Sequence, residues 1–471
     1  MNLEARKRKG EKLIDHSYSL LMKHLVLPAG DRVLGQNMVR RLAFLEEAQW
    51  WSPEDVRAYQ EAQLRKLIKV AYEEVQFYRD LMDSAGVKPA DIGRVEDLRK
   101  LPVVTKQMFR KVFPEGTSRD TGRKTWEACS SGSTGTNFCA LQDRETMSRL
   151  LAMTTLAFGW GGWPIGDRHL QTGISPQRGF VKKVKDILLR CTYWPAFDLT
   201  DAIMDAALDT MHAKKIRHLR GYPGSLYFLA RRALETGRGY PLDSILTWGD
   251  NLFDYYRATI EKAFSRRIYD TYGCAEGIQV AAQCGEGMNY HTYSTEVVVE
   301  TLDDEGRPTE PGVSGHVILT RLHPGPMPFI RYRVGDMAVR GGESRCPCGR
   351  GFELFGSIQG RDTDFILTPS GNRLIVHFFT RVFEYCPEVD SFQVIQETRD
   401  SMILRLVPMK NYTNAVGESI VQSIRDLGAA DMKIDVELVD EIPLAPSHKR
   451  RFVISKLPKP ELGVESRSKQ P

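Results

Sequence analysis

The stretch Ser130-Ser131-Gly132-Ser133-Thr134-Gly135-Thr136-Asn137 concentrates hydroxyl side chains and glycines at one point of the chain. Glycine lets the backbone adopt positive φ and bring N–H groups close to a ligand, and consecutive N–H groups can form a nest that binds anions. The hydroxyl groups add donors, and one of them can reach a magnesium ion bound to phosphate. The stretch therefore predicts a phosphate-binding loop. Its composition alone is equally typical of a flexible linker, and it lacks the G-x-x-x-x-G-K-[ST] pattern of the P-loop.

The composition limits the classes of protein to which the chain can belong. It has 471 residues, 42% of them hydrophobic and 27% charged, which is typical of a globular protein with more than one domain. A net charge of +5 does not require nucleic acid, and no nucleic-acid-binding motif occurs. The longest apolar stretch, 150–165, is interrupted by glycine and proline and is too short to span a bilayer. We therefore expect a cytoplasmic protein with neither a transmembrane segment nor a nucleic-acid partner, in which all eight cysteines are reduced.

Segments with strand character alternate with helical segments on the carboxyl side of the loop. The predicted elements are a helix start at Ser52-Pro53, helices at 145–158, 201–214 and 225–236, and strands at 216–221, 245–248 and 267–271. Such alternation is typical of a parallel sheet covered by helices. Between residues 290 and 340 the β-rich segments instead predict antiparallel hairpins or a small barrel.

Several short motifs follow the loop in order. They are Thr247-Trp248-Gly249-Asp250-Asn251, Tyr272-Gly273-Cys274-Ala275-Glu276, Arg331-Tyr332-Arg333-Val334-Gly335-Asp336, Gly360-Arg361-Asp362-Thr363-Asp364, and Pro443-Leu444-Ala445-Pro446-Ser447-His448-Lys449. Singly, each has an ordinary explanation as a strand-end turn or a solvated charge. Together they resemble the adenylate-forming enzymes, which include acyl-CoA synthetases, peptide-synthetase adenylation domains and luciferases. The segments 72–79, 98–106 and 346–350 resemble the phenylacetate–CoA ligase-like branch, including its capsule-biosynthesis homologues.

The resemblance implies a binding role for each motif. The implied ATP-binding residues are Ser131, Gly132, Ser133, Thr134, Gly135, Gly249, Asp250, Asn251, Tyr272, Gly273 and Asp336. Glu276 and Thr134 would hold Mg²⁺, a hard cation that prefers oxygen ligands. Asp336 would accept hydrogen bonds from the ribose hydroxyls, as an ionised carboxylate can.

The resemblance also implies catalytic residues and an acid pocket. Lys449, Glu276 and Arg361 would be catalytic, with Lys449 placing positive charge on the α-phosphate and on the attacking carboxylate. The pocket for the acid would be lined by Tyr222, Pro223 and Trp248. Aromatic walls suit an aryl acid, and they suit a fatty chain nearly as well.

The implied reaction activates a small-molecule carboxylic acid with ATP and transfers the acyl group to CoA. An alternative acceptor is a carrier protein, an amine or a sugar, for example in polysaccharide or secondary metabolism. A third possibility is a nucleotide-binding protein without catalysis, although retention of the charged groups in every motif argues against it. The sequence departs from the family pattern at Asn137, at Gly249-Asp250-Asn251, at Thr363 and at His448.

The fold class that the resemblance implies is α/β with two domains. A large N-terminal adenylate-forming domain at 1–359, with parallel sheets and a β-barrel-like part, would be joined by a hinge at 360–365 to a small α+β lid at 366–458. We expect the polar tail, 459–471, to be disordered.

Four cysteine and histidine residues have spacings that favour a metal site. Cys284 and His291 flank a glycine-containing turn, and Cys346 and Cys348 lie about sixty residues further on. Thiolates and an imidazole suit tetrahedral zinc, and four protein ligands indicate a structural role. The alternative is a set of unrelated reduced cysteines, which behave as small apolar residues. Proteins of the branch that share this pattern carry such a cluster, which favours Zn²⁺.

Overall fold

The structure is a computed structural model. It describes residues 14–130, 138–173, 178–196, 200–274, 276–342, 345–361, 365–370, 373–383, 386, 388–443 and 451–457. The helices are α1 (Leu27–Leu34), α2 (Met38–Ala48), α3 (Pro53–Glu74), α4 (Gln76–Ser84), α5 (Lys106–Arg110), α6 (Arg144–Trp160), α7 (Phe180–Leu188), α8 (Asp201–Ala213), α9 (Pro223–Glu235), α10 (Asp254–Phe264), α11 (Val376–Phe383) and α12 (Asn414–Ile424). Short π and 3₁₀ helices lie at Met22–Val26, Pro89–Asp91, Val95–Lys100 and Arg425–Ala429.

Twenty strands occur in the described residues. They are β1 (Thr125–Ser130), β2 (Phe138–Asp143), β3 (His169–Gly173), β4 (Cys191–Pro195), β5 (His218–Gly221), β6 (Ser244–Thr247), β7 (Ile268–Cys274), β8 (Ile278–Gln283), β9 (Tyr290–Thr292), β10 (Val297–Leu302), β11 (Ser314–Arg321), β12 (Tyr332–Val339), β13 (Leu354–Phe355), β14 (Ile358–Arg361), β15 (Phe365–Leu367), β16 (Arg373–Ile375), β17 (Val389–Thr398), β18 (Ser401–Pro408), β19 (Lys433–Leu438) and β20 (Val453–Ser455).

An eight-stranded sheet forms the centre of the N-terminal part, in the order β13-β9-β8-β7-β6-β5-β3-β4. The strands from β4 to β7 pair in parallel, which confirms the predicted alternation of helix and strand. The pairing becomes antiparallel between β7 and β8, earlier than the change expected at residue 290. The cause is the short connection from β7 to β8, since a parallel crossover needs a dozen or more residues.

A second, antiparallel sheet has the order β10-β11-β12-β14 and contains the predicted hairpins. The C-terminal part is a mixed sheet, β19-β18-β17-β20, with α11 and α12 beside the small β15–β16 pair. This is the α/β fold with a small α+β C-terminal domain that the sequence predicts. No helix in the described ranges is both long and apolar enough to cross a bilayer.

Helix starts follow local capping chemistry. The Ser52 hydroxyl accepts a hydrogen bond from the Asp55 N–H at 3.0 Å, as expected at the start of α3. Before α6, the Asp143 carboxylate accepts from the Thr146 N–H at 2.8 Å. Asp143 also ends β2, so this cap fixes the direction in which the chain leaves the β1–β2 hairpin.

The expectation that all the cysteines are reduced is wrong for one pair, because Cys129 and Cys139 form a disulfide. The two residues are direct partners in the antiparallel register of β1 and β2, with Cα atoms 4.0 Å apart. Their separation along the chain gave no sign of this pairing, since it depends on the hairpin register. The remaining cysteines are free thiols.

A buried carboxylate on β7 links three strands of the large sheet. Asp270 accepts hydrogen bonds from the Thr247 hydroxyl at 2.5 Å and from the Tyr290 hydroxyl at 2.6 Å. Burial raises the pKa of Asp270 to about 6, from an ordinary value of 3.8. A raised pKa means that the folded state favours the protonated form, so stability is lost as the pH rises through 6.

We therefore predict that Asp270 lowers the free energy of unfolding between pH 4 and pH 7. A shift of this size corresponds to about 3 kcal/mol. The Asp270→Asn variant should lack this component, so its stability relative to the wild type should increase with pH in urea denaturation. The exposed carboxylate of Asp209 provides a control, and Asp209→Asn should leave the pH profile unchanged. Parallel profiles for wild type and Asp270→Asn would contradict the assignment.

Candidate active site

A cleft of about 2090 Å³ opens where the carboxyl ends of β5, β6 and β7 meet the antiparallel sheet and the C-terminal domain. In open α/β sheets, the loops after the carboxyl ends of the strands commonly carry the ligand-binding residues. The predicted nucleotide and acid residues converge here from separate segments. Those that line the cleft are Tyr222, Trp248, Gly249, Asp250, Asn251, Tyr272, Gly273 and Asp336.

The turn after β6 packs tightly against the residue that follows β5. Gly249 has φ +77°, and a Cβ atom there would lie 2.8 Å from the Tyr222 ring. A larger residue would therefore meet both backbone strain and a steric clash. Tyr222 precedes α9 as its N-cap, whereas Pro223 is buried at the first helical position. Tyr222 and Trp248 thus line the cleft as predicted, whereas Pro223 is not among its lining residues.

Glu276 is a buried carboxylate held in its ionised form by two neighbours. The Tyr332 hydroxyl donates a hydrogen bond to Glu276 Oε1 at 2.5 Å, and Lys106 Nζ lies 3.3 Å from the same oxygen. Burial alone would raise the pKa of Glu276, but the charge of Lys106 and the Tyr332 hydrogen bond outweigh it and lower the pKa. Glu276 therefore offers a buried anionic oxygen, which is the ligand chemistry that Mg²⁺ requires.

Asp336 lies on β12 and is in contact with Tyr272. The Tyr272 hydroxyl donates to Asp336 Oδ2 at 2.7 Å, and the Tyr272 ring is stacked on Phe355 with centroids 6.1 Å apart. The β12–β14 register places Asp336 directly opposite Arg361. These three predicted residues are therefore brought together, although the Arg361 side chain is outside the described atoms.

Two of the predicted motifs lie outside the described residues. Ser131, Gly132, Ser133, Thr134 and Gly135 belong to the connection between β1 and β2, and Lys449 and His448 belong to 444–450. The departure at Thr363 is also outside them. The described residues next to these two motifs lie at the cleft. Cys129 and Phe138 flank the first motif, Arg451 and Phe452 follow the second, and all four line the cleft.

The four predicted metal ligands converge beside the antiparallel end of the large sheet. Their ligand atoms all lie within 4.8 Å of one another. The sulfurs of Cys284 and Cys346 are 3.5 Å apart, and Cys348 Sγ is 3.2 Å from His291 Nε2. His291 Nδ1 lies 3.2 Å from the Phe352 carbonyl, so Nδ1–H donates there and Nε2 is available to a metal.

The protonation state and packing of the cluster also fit a metal. Burial lowers the pKa of His291 and favours the neutral imidazole that metals require. The Cys346–Arg350 segment is fixed against the end of α2, because Arg350 Nε donates to Gln49 Oε1 at 2.9 Å. Three sulfurs and one nitrogen in this arrangement match a tetrahedral zinc site.

Lys106 and Tyr332 contact Glu276, and the sequence gave neither of them a role at the site. Both were part of quoted motifs, but their contact with Glu276 depends on three distant segments meeting. Arg220 and Lys185, which also line the cleft, gave no motif signal. Arg220 was part of a predicted strand, where a charged residue could have indicated a site inside the protein.

Comparison with known proteins gives relatives over most of the chain. A phenylacetate–coenzyme A ligase of Thermus thermophilus is 25% identical over 398 residues, covering 78% of this chain and 85% of the relative. The CapK protein of Staphylococcus aureus is 23% identical over 396 residues, covering 81% and 85%. Residues 366–456 match the family model of the CapK C-terminal domain.

Over most of its length, the chain is therefore similar to phenylacetate–CoA ligases and to CapK. The fold agrees, since a 2-hydroxyisobutyryl-CoA ligase structure in the postadenylation state has a TM-score of 0.70 at 18% identity. That match covers 87% of this chain and 91% of the other. The protein is a CoA ligase-like enzyme.

For this CoA ligase-like enzyme we predict about one zinc ion per chain, measurable by elemental analysis of the purified protein. Cys346→Ser should lower both the zinc content and the melting temperature, because it removes a ligand from the cluster. The matched control is Cys386→Ser, which changes a free thiol in the C-terminal domain. Full zinc content and unchanged stability in Cys346→Ser would contradict the prediction.

Proposed function

We propose that the protein activates a carboxylic acid with ATP and then transfers the acyl group to the thiol of CoA. The observation that carries this proposal is the convergence of Asp336 and the Gly249 turn on one cleft that is also lined by Lys106, the ion-pair partner of Glu276. Glu276 is a buried ionised carboxylate and suits the metal ion. Asp336 is a second carboxylate, opposite Arg361, and suits the ribose. The tight turn at Gly249 suits the adenine of the same nucleotide.

In the first half-reaction a carboxylate oxygen of the acid attacks the α-phosphorus of ATP. The bond from that phosphorus to the bridging oxygen breaks, giving the acyl-adenylate and pyrophosphate. No protein side chain has to act as a nucleophile, so positioning and charge neutralisation carry the step. Mg²⁺, held by Glu276 and Thr134, would neutralise phosphate charge.

Three side chains orient the nucleotide in this proposal. Tyr272 provides a ring beside the adenine, and its hydroxyl holds Asp336 Oδ2 at 2.7 Å. This contact fixes the carboxylate that would accept the ribose hydroxyls. The side chain of Arg361 would approach the phosphate or ribose from the adjacent strand.

In the second half-reaction the thiol of CoA attacks the acyl carbon and AMP leaves. The C-terminal domain would rotate between the two halves about the hinge proposed at 360–365, withdrawing Lys449. In a second candidate function, the acceptor is a carrier protein, an amine or a sugar. CoA-dependent release of AMP distinguishes the two candidates.

The proposal assigns Lys449 to the first half-reaction only. Lys449→Ala should slow adenylate formation, measured by pyrophosphate release, by about 10²–10³-fold, as loss of one preorganised electrostatic group commonly does. Thioester formation from supplied acyl-adenylate and CoA should change much less. Lys456, whose Nζ lies 2.6 Å from Glu397 Oε1 on the surface, provides the control variant Lys456→Ala. If Lys449→Ala forms the adenylate at the normal rate and Lys456→Ala does not, the catalytic lysine is Lys456.

Replacing Asp336 should weaken the binding of ATP. Asp336→Ala removes a charged acceptor, and hydrogen bonds to charged groups are worth about 1.5–3 kcal/mol each. The KM for ATP should therefore rise by at least about tenfold. Tyr272→Phe is the matched control, because it keeps the ring and the carboxylate and removes only their hydrogen bond, so its effect should be smaller. An unchanged KM in Asp336→Ala would show that Asp336 does not bind ribose.

A further inference from the structure

Arg220 is a buried cation on the wall of the acid pocket. It lies on β5, is 4% exposed, and its guanidinium lies over the rings of Phe158 and Trp163 at 4.6 and 4.5 Å. One terminal nitrogen donates to His169 Nε2, and the Nε atom has no hydrogen-bond partner. A guanidinium has five N–H donors, so the bond to His169 uses only part of the hydrogen-bonding capacity of Arg220, which lines the cleft.

The charge of Arg220 is not neutralised by the residues around it. Within the described parts of the chain, no carboxylate oxygen lies within 4.0 Å of its guanidinium. The neighbouring Asp186 is held by Arg178, whose Nε is 2.9 Å from Asp186 Oδ2. Burial raises the pKa of the adjacent Cys191 to about 11, so that thiol is neutral. Buried charges are ordinarily paired, since an unpaired one is costly.

A second cation faces the same space. Lys185, on α7, lines the cleft and has no carboxylate within 4.0 Å among the residues described. Burial and the positive charge of Arg220 both lower the pKa of Lys185. Two cations that repel each other across one cavity would both be stabilised by an anion between them.

Arg220 lies on β5 and precedes Tyr222 by two residues, which corresponds to about 7 Å along a strand. The rings form a continuous wall between them, because Phe158 is 5.9 Å from Trp248 and Trp248 is 6.5 Å from Tyr222. An acid that lies beside Tyr222 and Trp248 would extend along this wall toward Arg220.

We infer that the acid carries a second anionic group at its far end, which binds between Arg220 and Lys185. This inference rests on the proposed function and adds the substrate class, an acid with two anionic groups such as a dicarboxylate. The aromatic rings contact the spacer between the two groups. A second carboxylate can pair with the guanidinium through two hydrogen bonds, a geometry that a point charge does not offer.

The test compares mono- and dicarboxylic acids of equal chain length, such as hexanoic and adipic acids, by pyrophosphate release. Wild-type protein should favour the dicarboxylates in kcat/KM by at least about tenfold, because loss of one partner leaves the other charge buried and unpaired. Arg220→Gln should abolish this preference, and Arg220→Lys should restore part of it. The matched control is Arg238→Gln, since Arg238 pairs with Asp209 away from the cleft.

A second pair of measurements keeps the inference testable if Arg220→Gln does not fold. Lys185→Gln changes a residue of α7, outside the strands that carry Arg220, and should also reduce the dicarboxylate preference. Calorimetric titration of adipate without ATP should show binding that weakens in both variants, independently of any turnover.

The two proposals fail in different ways. Equal use of mono- and dicarboxylates by the wild type would overturn the second anionic site and leave adenylation intact. Adipate binding that depends on Arg220, with no pyrophosphate release from any acid, would support the site and overturn the proposed reaction.

Discussion

The buried carboxylate of Glu276 connects the parts of the fold that form the cleft. Glu276 follows β7 of the large sheet, Tyr332 begins β12 of the antiparallel sheet, and Lys106 begins α5 in the N-terminal part. The backbone supports the same meeting point, because the Val104 N–H donates to the Arg331 carbonyl at 2.9 Å and the Arg333 N–H donates to the Val104 carbonyl at 2.8 Å. A buried anion without these partners would be strongly unfavourable. Segments distant in sequence must therefore be correctly folded before the site is electrostatically complete.

The C-terminal domain contacts the large sheet on the same side as the cleft. Phe452 packs against Phe253 with centroids 5.1 Å apart, and Arg231 forms a 2.9 Å ion pair with Asp390. The ion pair is partly solvated, so its contribution is small. The buried apolar residues of the two parts form one continuous cluster, so apolar packing joins them.

The sequence predicted those features that depend on neighbours along the chain. The Ser52 cap, the alternation from α8 to β7 and the glycine turn at Gly249 are local patterns, and the structure has all three. The Cys284, His291, Cys346 and Cys348 cluster was also predictable, because metal ligands are restricted in type and recur in recognisable spacings. The Glu276–Lys106 contact and the Cys129–Cys139 disulfide were not, since the first depends on tertiary packing and the second on hairpin register.

Glu276 and Arg220 are both buried charges, and the groups around them stabilise these charges in different ways. Both are charged and almost fully buried. Glu276 has a cation and a hydroxyl supplied by the protein, so its charge is stable before any ligand enters. Arg220 contacts two aromatic faces and a histidine nitrogen, which stabilise part of its charge without providing a counter-ion. Since a folded protein can retain such a group only at a cost in stability, the placement of Arg220 is best explained by the ligand that completes it.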